Sequence, residues 1–130
     1  MFPDKETFIF VSNLSMKQNF DVELLPDAVK FLNSIDEKAR DKIYYNIRKS
    51  QFINDNELLK KLNGNIWEFR TLFNGKAYRI FAFWDKSTEQ KTLVLATHGI
   101  IKKGQKTPPK EIEKAEEIRK QYLKEKNKKK

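Results

Sequence analysis

The sequence predicts an α+β domain in which a small antiparallel sheet packs with two N-terminal helices and one C-terminal helix. Three observations carry this. Residues 26–47 hold apolar side chains at helical spacing, residues 66–84 hold two β-rich runs joined by Asn74-Gly75, and a Thr-Pro-Pro step at 107–109 opens a second helical pattern. Alternating elements of this kind, with hairpin-linked strands, belong to one sheet covered by a few helices.

The elements follow in order. Thr7 to Val11 is a short apolar run that reads as a strand or an ordered arm, and residues 1–15 read as an extension to a domain spanning 16–124. Phe20, Val22 and Leu24 alternate with Asp21 and Glu23, the pattern of a half-buried strand. Pro26 opens a helix at a position that tolerates proline, and Ala28, Val29, Leu32 and Ile35 form its inward stripe. Asp36 caps a second helix with Ala39, Ile43 and Ile47 inward. Glu57 to Leu62 reads as a short helical turn or approach segment, and Asn63-Gly64-Asn65 breaks it. Ile66–Phe73 and Lys76–Trp84 form the hairpin, Asp85–Gln90 is a polar turn, and Lys91–Ile101 is a further strand. The final helix turns Ile112, Ala115, Ile118 and Tyr122 inward, and residues 125–130 read as a disordered basic tail.

Composition narrows the function. The 130 residues include ten Phe, four Tyr and two Trp, enough for a packed core. The absence of Cys excludes disulfide scaffolds, zinc ribbons and thiol catalysis. His98 is the one histidine, so no multi-histidine metal site is expected, and neither a metal nor a cofactor is called for. No run of 18 apolar residues and no signal-peptide pattern occur, so the expected location is the cytoplasm. The net charge of +9 is uneven: residues 1–100 carry +2 and residues 101–130 carry +7. This asymmetry points either to a polyanionic partner or to a solvated basic helix.

The hairpin carries the chemistry. With Asn74-Gly75 as a two-residue turn, Arg70 stands directly opposite Arg79. Their face also holds Glu68, Leu72, Ala77, Phe81 and Phe83; the other, with Trp67, Phe69, Thr71, Tyr78, Ile80 and Ala82, is the better core candidate. Opposed like charges destabilise a strand pair, so either Glu68 bridges the arginines or an external anion does. Guanidinium forks suit phosphate, and Phe81 beside them suits a base. Downstream, His98, Lys102, Lys103 and Lys106 lie within nine residues, just before a helix N-terminus that presents free N–H groups. Lys60 and Lys61 are either ordinary surface charges or cations that track an RNA backbone.

The chain resembles the RelE/ParE toxin superfamily of type II toxin–antitoxin systems, and within it the phage-derived, HigB-like RelE branch. The matching residues are Lys61-Leu62, Gly64, Trp67-Glu68-Phe69-Arg70, Tyr78-Arg79-Ile80-Phe81, His98-Gly99-Ile100-Ile101-Lys102-Lys103, Gln105-Lys106-Thr107-Pro108, Glu111-Ile112 and Ala115. The resemblance spans residues 17–123 and implies the RelE-like fold. It also implies a ribosome-dependent mRNA endoribonuclease, neutralised by a helix-turn-helix antitoxin. RNA brings its own nucleophile, the 2′-hydroxyl, so the protein needs to position the chain, move protons and stabilise the phosphate charge. On this reading Arg70 and Arg79 stabilise the transition state. His98 or a lysine such as Lys103 serves as acid or base, and Glu68 is a second base or an orienter. Lys60, Lys61, Phe81, Lys102 and Lys106 contact RNA. One departure stands out: RelE proper has a tyrosine just after its last basic motif, where this chain reads Thr107-Pro108-Pro109-Lys110.

Three other functions fit the same residues. A non-catalytic RNA- or ribosome-binding module would use the same cations, because basic charge does not separate binding from cutting. A ParE-like, gyrase-targeting toxin would share the fold without needing the converging arginines. An interaction protein would use the exposed sheet face and last helix only to hold an antitoxin.

Overall fold

The computed structural model describes residues 18–86, 93–104 and 106–128. The run at 7–11, the 1–15 extension, most of the polar turn at 85–90, Gln105 and the last two lysines lie outside the described residues. The elements run β1 (Asp21–Leu24), α1 (Pro26–Ser34), α2 (Glu37–Ser50), β2 (Leu59–Asn63), β3 (Ile66–Phe73), β4 (Lys76–Asp85), β5 (Leu93–Lys102) and α3 (Pro109–Lys128). The sheet order is β1-β5-β4-β3-β2. β5, β4, β3 and β2 pair antiparallel, while β1 joins β5 in parallel, which makes the sheet mixed rather than purely antiparallel.

Local chemistry sets most boundaries. Pro26 sits at the start of α1, and the Asp36 carboxylate accepts from the N–H groups of Lys38 (3.1 Å) and Ala39 (3.4 Å) to cap α2. At the β3–β4 turn Asn74 has φ +54° and Gly75 φ +78°, the left-handed pair that matches strand twist. The register is the predicted one: Phe73 pairs with Lys76, and Arg70 with Arg79.

Two elements differ from the sequence reading. The segment Glu57–Leu62 is not helical throughout. A tight turn closes on the Asp55 carbonyl, and Leu59 to Asn63 then continues as β2, pairing Lys60 with Glu68 and Lys61 with Trp67. The free edge of β3 needs backbone partners, and that demand outweighs the helical propensity of Leu-Leu-Lys-Lys. At the other end α3 continues through Lys128, so residues 125–128 form its last turn instead of a structureless tail.

Both sheet faces are covered. On one, Phe69, Tyr78, Ile80 and Ala82 pack with Leu32, Ile43 and Ile47 of α1 and α2, although Val29 points outward at 40% exposure. On the other, Ile66, Phe81, Phe83 and Leu95 pack beneath Ala115, Ile112 and Tyr122 of α3. The expected open face beside the arginines is therefore half closed: α3 buries its apolar stripe over Phe81 and Phe83 and leaves only the hairpin end accessible.

A bulge decides what reaches that end. Ile80 pairs with Gly99 but Ala82 pairs with Ala96, so β5 spends one extra residue at Thr97-His98 opposite Phe81. The extra residue switches the side-chain parity of β5. Leu95 before it and Ile100 after it pack on the α3 side, whereas Gly99 faces α1 so closely that a Cβ there would overlap the Phe31 ring.

Candidate functional site

Glu68 on β3 is the centre of the accessible half-face. Its side chain is 4% exposed and lies between two guanidinium groups, with Oε2 3.6 Å from Arg70 Nε and Oε1 3.4 Å from Arg79 Nε. Thr107, in the connection that leads into α3, donates its hydroxyl to Glu68 Oε1 at 3.1 Å. Neither Nε atom has a hydrogen-bond partner, so these are ion pairs, made at the root of each fork. Arg70 Nη1 also donates to the Asn56 carbonyl at 3.4 Å and lies 4.0 Å from Glu57, and Arg79 Nη1 donates to the Tyr78 carbonyl at 3.1 Å. Burial pulls the Arg79 pKa down from its ordinary value, with Glu68 opposing and Arg70 adding to the fall. Arginine remains charged across the physiological range, so one carboxylate here serves two cations.

The bulge in β5 brings Lys102 to this face, paired across from Ala77 and one row beyond Arg79. Burial pulls the Lys102 ammonium below its ordinary pKa, Arg79 adds to the fall, Glu68 opposes it, and Arg70 and Lys60 lower it further. Lys60 pairs with Glu68 on β2 and so belongs to the same cationic surface. Lys61, its neighbour, falls on the opposite face beside Trp67. Lys103 and Lys106 are exposed in the connection to α3.

Two sequence-derived roles do not suit the positions found. Phe81 is fully buried, and its ring lies against His98 with centroids 4.9 Å apart, so it forms the floor under the histidine and offers no surface to a base. The exposed apolar side chain on this face is Leu72, 73% accessible, one row from Arg70. His98 is 3% exposed and both ring nitrogens are occupied, Nδ1 by Thr97 Oγ1 at 3.0 Å and Nε2 by Glu111 Oε1 at 3.1 Å. Burial lowers its pKa, partly offset by the Glu111 hydrogen bond. The imidazole thus fastens the first turn of α3 to β5.

Sequence reasoning missed Thr107 and Glu111 as partners of Glu68 and His98. A Glu in the first turn of a helix was a visible signal, but only the fold sets it against the bulge.

A five-stranded mixed sheet with three helices in a small α+β domain is consistent with the RelE-like fold. The family model for the phage-derived protein Gp49-like (DUF891) matches residues 30–120, more than two thirds of the chain. The chain belongs to that family, which is RelE-like and associated with toxin–antitoxin systems, and membership implies an antitoxin as partner. No curated protein matches the chain at a significant level. Among the described residues no helix is long and apolar enough to cross a membrane.

Proposed function

We propose that this protein is the toxin of a type II toxin–antitoxin pair and an endoribonuclease that cuts mRNA on the ribosome. The observation that carries the reading is the cross-strand Arg70–Arg79 pair at the hairpin end of the sheet, Arg70 partly exposed and Arg79 buried behind it, with Lys60 and Lys102 beside it, Glu68 buried between the two guanidinium groups and the exposed Glu57 at its rim. Four cations against two carboxylates, Glu68 and Glu57, leave a net positive cluster that favours a further anion, and planar guanidinium forks fit the equatorial oxygens of a phosphate under attack.

In the proposed step the 2′-hydroxyl gives its proton to a solvent water and its oxygen attacks the adjacent phosphorus. The 5′-oxygen leaves and takes up a proton, giving a 2′,3′-cyclic phosphate and a 5′-hydroxyl. Arg70 and Arg79 stabilise the added charge, and no metal ion is called upon. Glu68 holds both forks in place. Its burial and three partners suit an orienting group better than a base. Lys102 is the proposed acid: it shares the arginine face and its lowered pKa eases proton release. His98 is assigned to positioning, since both of its nitrogens are engaged. Lys103 and Lys106 extend the phosphate-binding surface along the incoming strand.

The test is induced expression in bacteria of wild type and an Arg70→Ala/Arg79→Ala variant at matched soluble levels, with primer extension on a reporter mRNA. Growth arrest with discrete cuts in translated frames, lost in the variant, is the expected result. Arrest without cuts would shift the reading to a protein target such as gyrase. Binding to ribosomes without arrest would leave a non-catalytic module.

A further inference from the structure

The second strongly shaped feature lies on the other side of the sheet, at the end that α1 and α2 do not cover. Trp67 and Trp84 meet edge to face there, ring centroids 5.7 Å apart, and line a cleft of about 470 Å³ with Lys61, Lys86, Gly64 and Asn65. The volume is in the range of small-ligand sites. Phe20 holds Trp84 from behind at 5.0 Å, so the indole is a fixed wall. Trp84 Nε1 is buried and has no hydrogen-bond acceptor. Two ammonium groups beside two indoles suit a ligand that is both anionic and flat.

β2 connects this cleft with the arginine face. It is the free edge of the sheet, and its consecutive lysines point to opposite sides: Lys60 across from Glu68, Lys61 across from Trp67. A strand of nucleic acid leaving the arginines passes Lys60, crosses the edge and meets Lys61 with little detour. Bases offer π-faces to indoles in any sequence, and phosphates follow lysines.

We infer that the Trp67–Trp84 cleft is a second contact site for single-stranded RNA, taking one nucleotide with its base against the indoles and its phosphate between Lys61 and Lys86. This rests on the nuclease reading for its RNA, but it is separable from cleavage. An acidic, aromatic segment of a protein partner is the competing occupant.

The chain has two tryptophans and both line the cleft, so intrinsic fluorescence reports this site. The experiment titrates the full-length protein with a 2′-O-methyl hexaribonucleotide, which has no free 2′-hydroxyl and is not cut, and with the matching 2′-O-methyl abasic strand. The expected result is saturable quenching by the hexamer, much weaker with the abasic strand. Affinity falls at least tenfold in Lys61→Ala/Lys86→Ala, while circular dichroism stays unchanged. The Arg70→Ala/Arg79→Ala protein still shows quenching. Three outcomes overturn the inference: no quenching, equal quenching by the abasic strand, or affinity unaffected by loss of the lysines. Quenching that appears only with an acidic aromatic peptide assigns the cleft to a protein partner and also overturns it. If wild type fails to cut mRNA yet quenches as expected, the nuclease reading falls and the cleft stands.

Discussion

Glu68 is the residue on which the site's structure depends. Its buried carboxylate separates two guanidinium groups on neighbouring strands, and Thr107 ties the α3 connection to it. Removing one partner of a buried ion pair leaves an uncompensated charge, here that of the buried Arg79, since Arg70 is partly exposed and also lies near Glu57. Glu68→Ala is expected to cost about 3–5 kcal/mol in urea unfolding. On the proposed nuclease reading, Arg79→Ala is expected to lower mRNA cleavage about 100- to 1000-fold, the range for loss of one group that stabilises an oxyanion. His98 makes a different prediction. Its folded pKa lies below the unfolded value, so the unfolded chain takes up a proton first as pH falls. The stability it contributes is complete above about 6.5, the ordinary histidine value, and is lost as pH drops through the folded value. Thermal melts across that window should slope downward toward acid, and the His98→Gln protein should show a shallower slope.

At the scale of elements, α3 is held at both ends. His98–Glu111 secures its start, and near its end Tyr122 donates to the buried Asp85 at 3.0 Å while Lys126 pairs with the same oxygen at 2.6 Å. Burial, then the Asp85 hydrogen bond and charge, push the Tyr122 phenol up to about 12. The neutral phenol belongs to the folded state, so its contribution is intact below about 10 and is lost as pH rises through about 12. Absorbance at 295 nm should show a tyrosine ionising near 12 that is missing in Tyr122→Phe. The β3–β4 turn is the second local test. Gly75→Ala places a Cβ at φ +78°, and the expected loss is about 1 kcal/mol in the same urea assay, with no change in the Arg70–Arg79 register.

For the whole molecule the charge distribution is the governing feature. Of the positive charge in residues 101–130, Lys102 joins the sheet end that carries Lys60, Arg70 and Arg79, and Lys103 and Lys106 follow it in the connection to α3, whereas Lys126 pairs with Asp85 at the other end of β4. If the proposed nuclease reading holds, RNA binding weakens linearly in a plot of log affinity against log salt. Each lysine lost from the contact surface should reduce the slope by about 0.7, a measurement that separates Lys102→Ala and Lys106→Ala from substitutions away from the RNA.

How far the sequence reached depends on the range of each interaction. The proline-led and Asp36-capped helices, the Asn74-Gly75 turn and the Arg70–Arg79 pairing were legible because each is set by neighbours within a few residues, and strand alternation carries a turn's register along both arms. Tertiary structure decided what depends on distant partners. β2 became a strand because β3 needed its backbone groups. Lys102 joined the arginines because a bulge at Thr97-His98 reversed the parity of β5. Phe81, an exposed base-stacking candidate in the pattern, is sealed under His98 because α3 must bury its own apolar stripe. Local sequence thus determined the hairpin strands β3 and β4, their turn and the facing arginines. Which half of the face stays open, and which lysine reaches it, followed from packing, because one helix and one extra residue set them at long range.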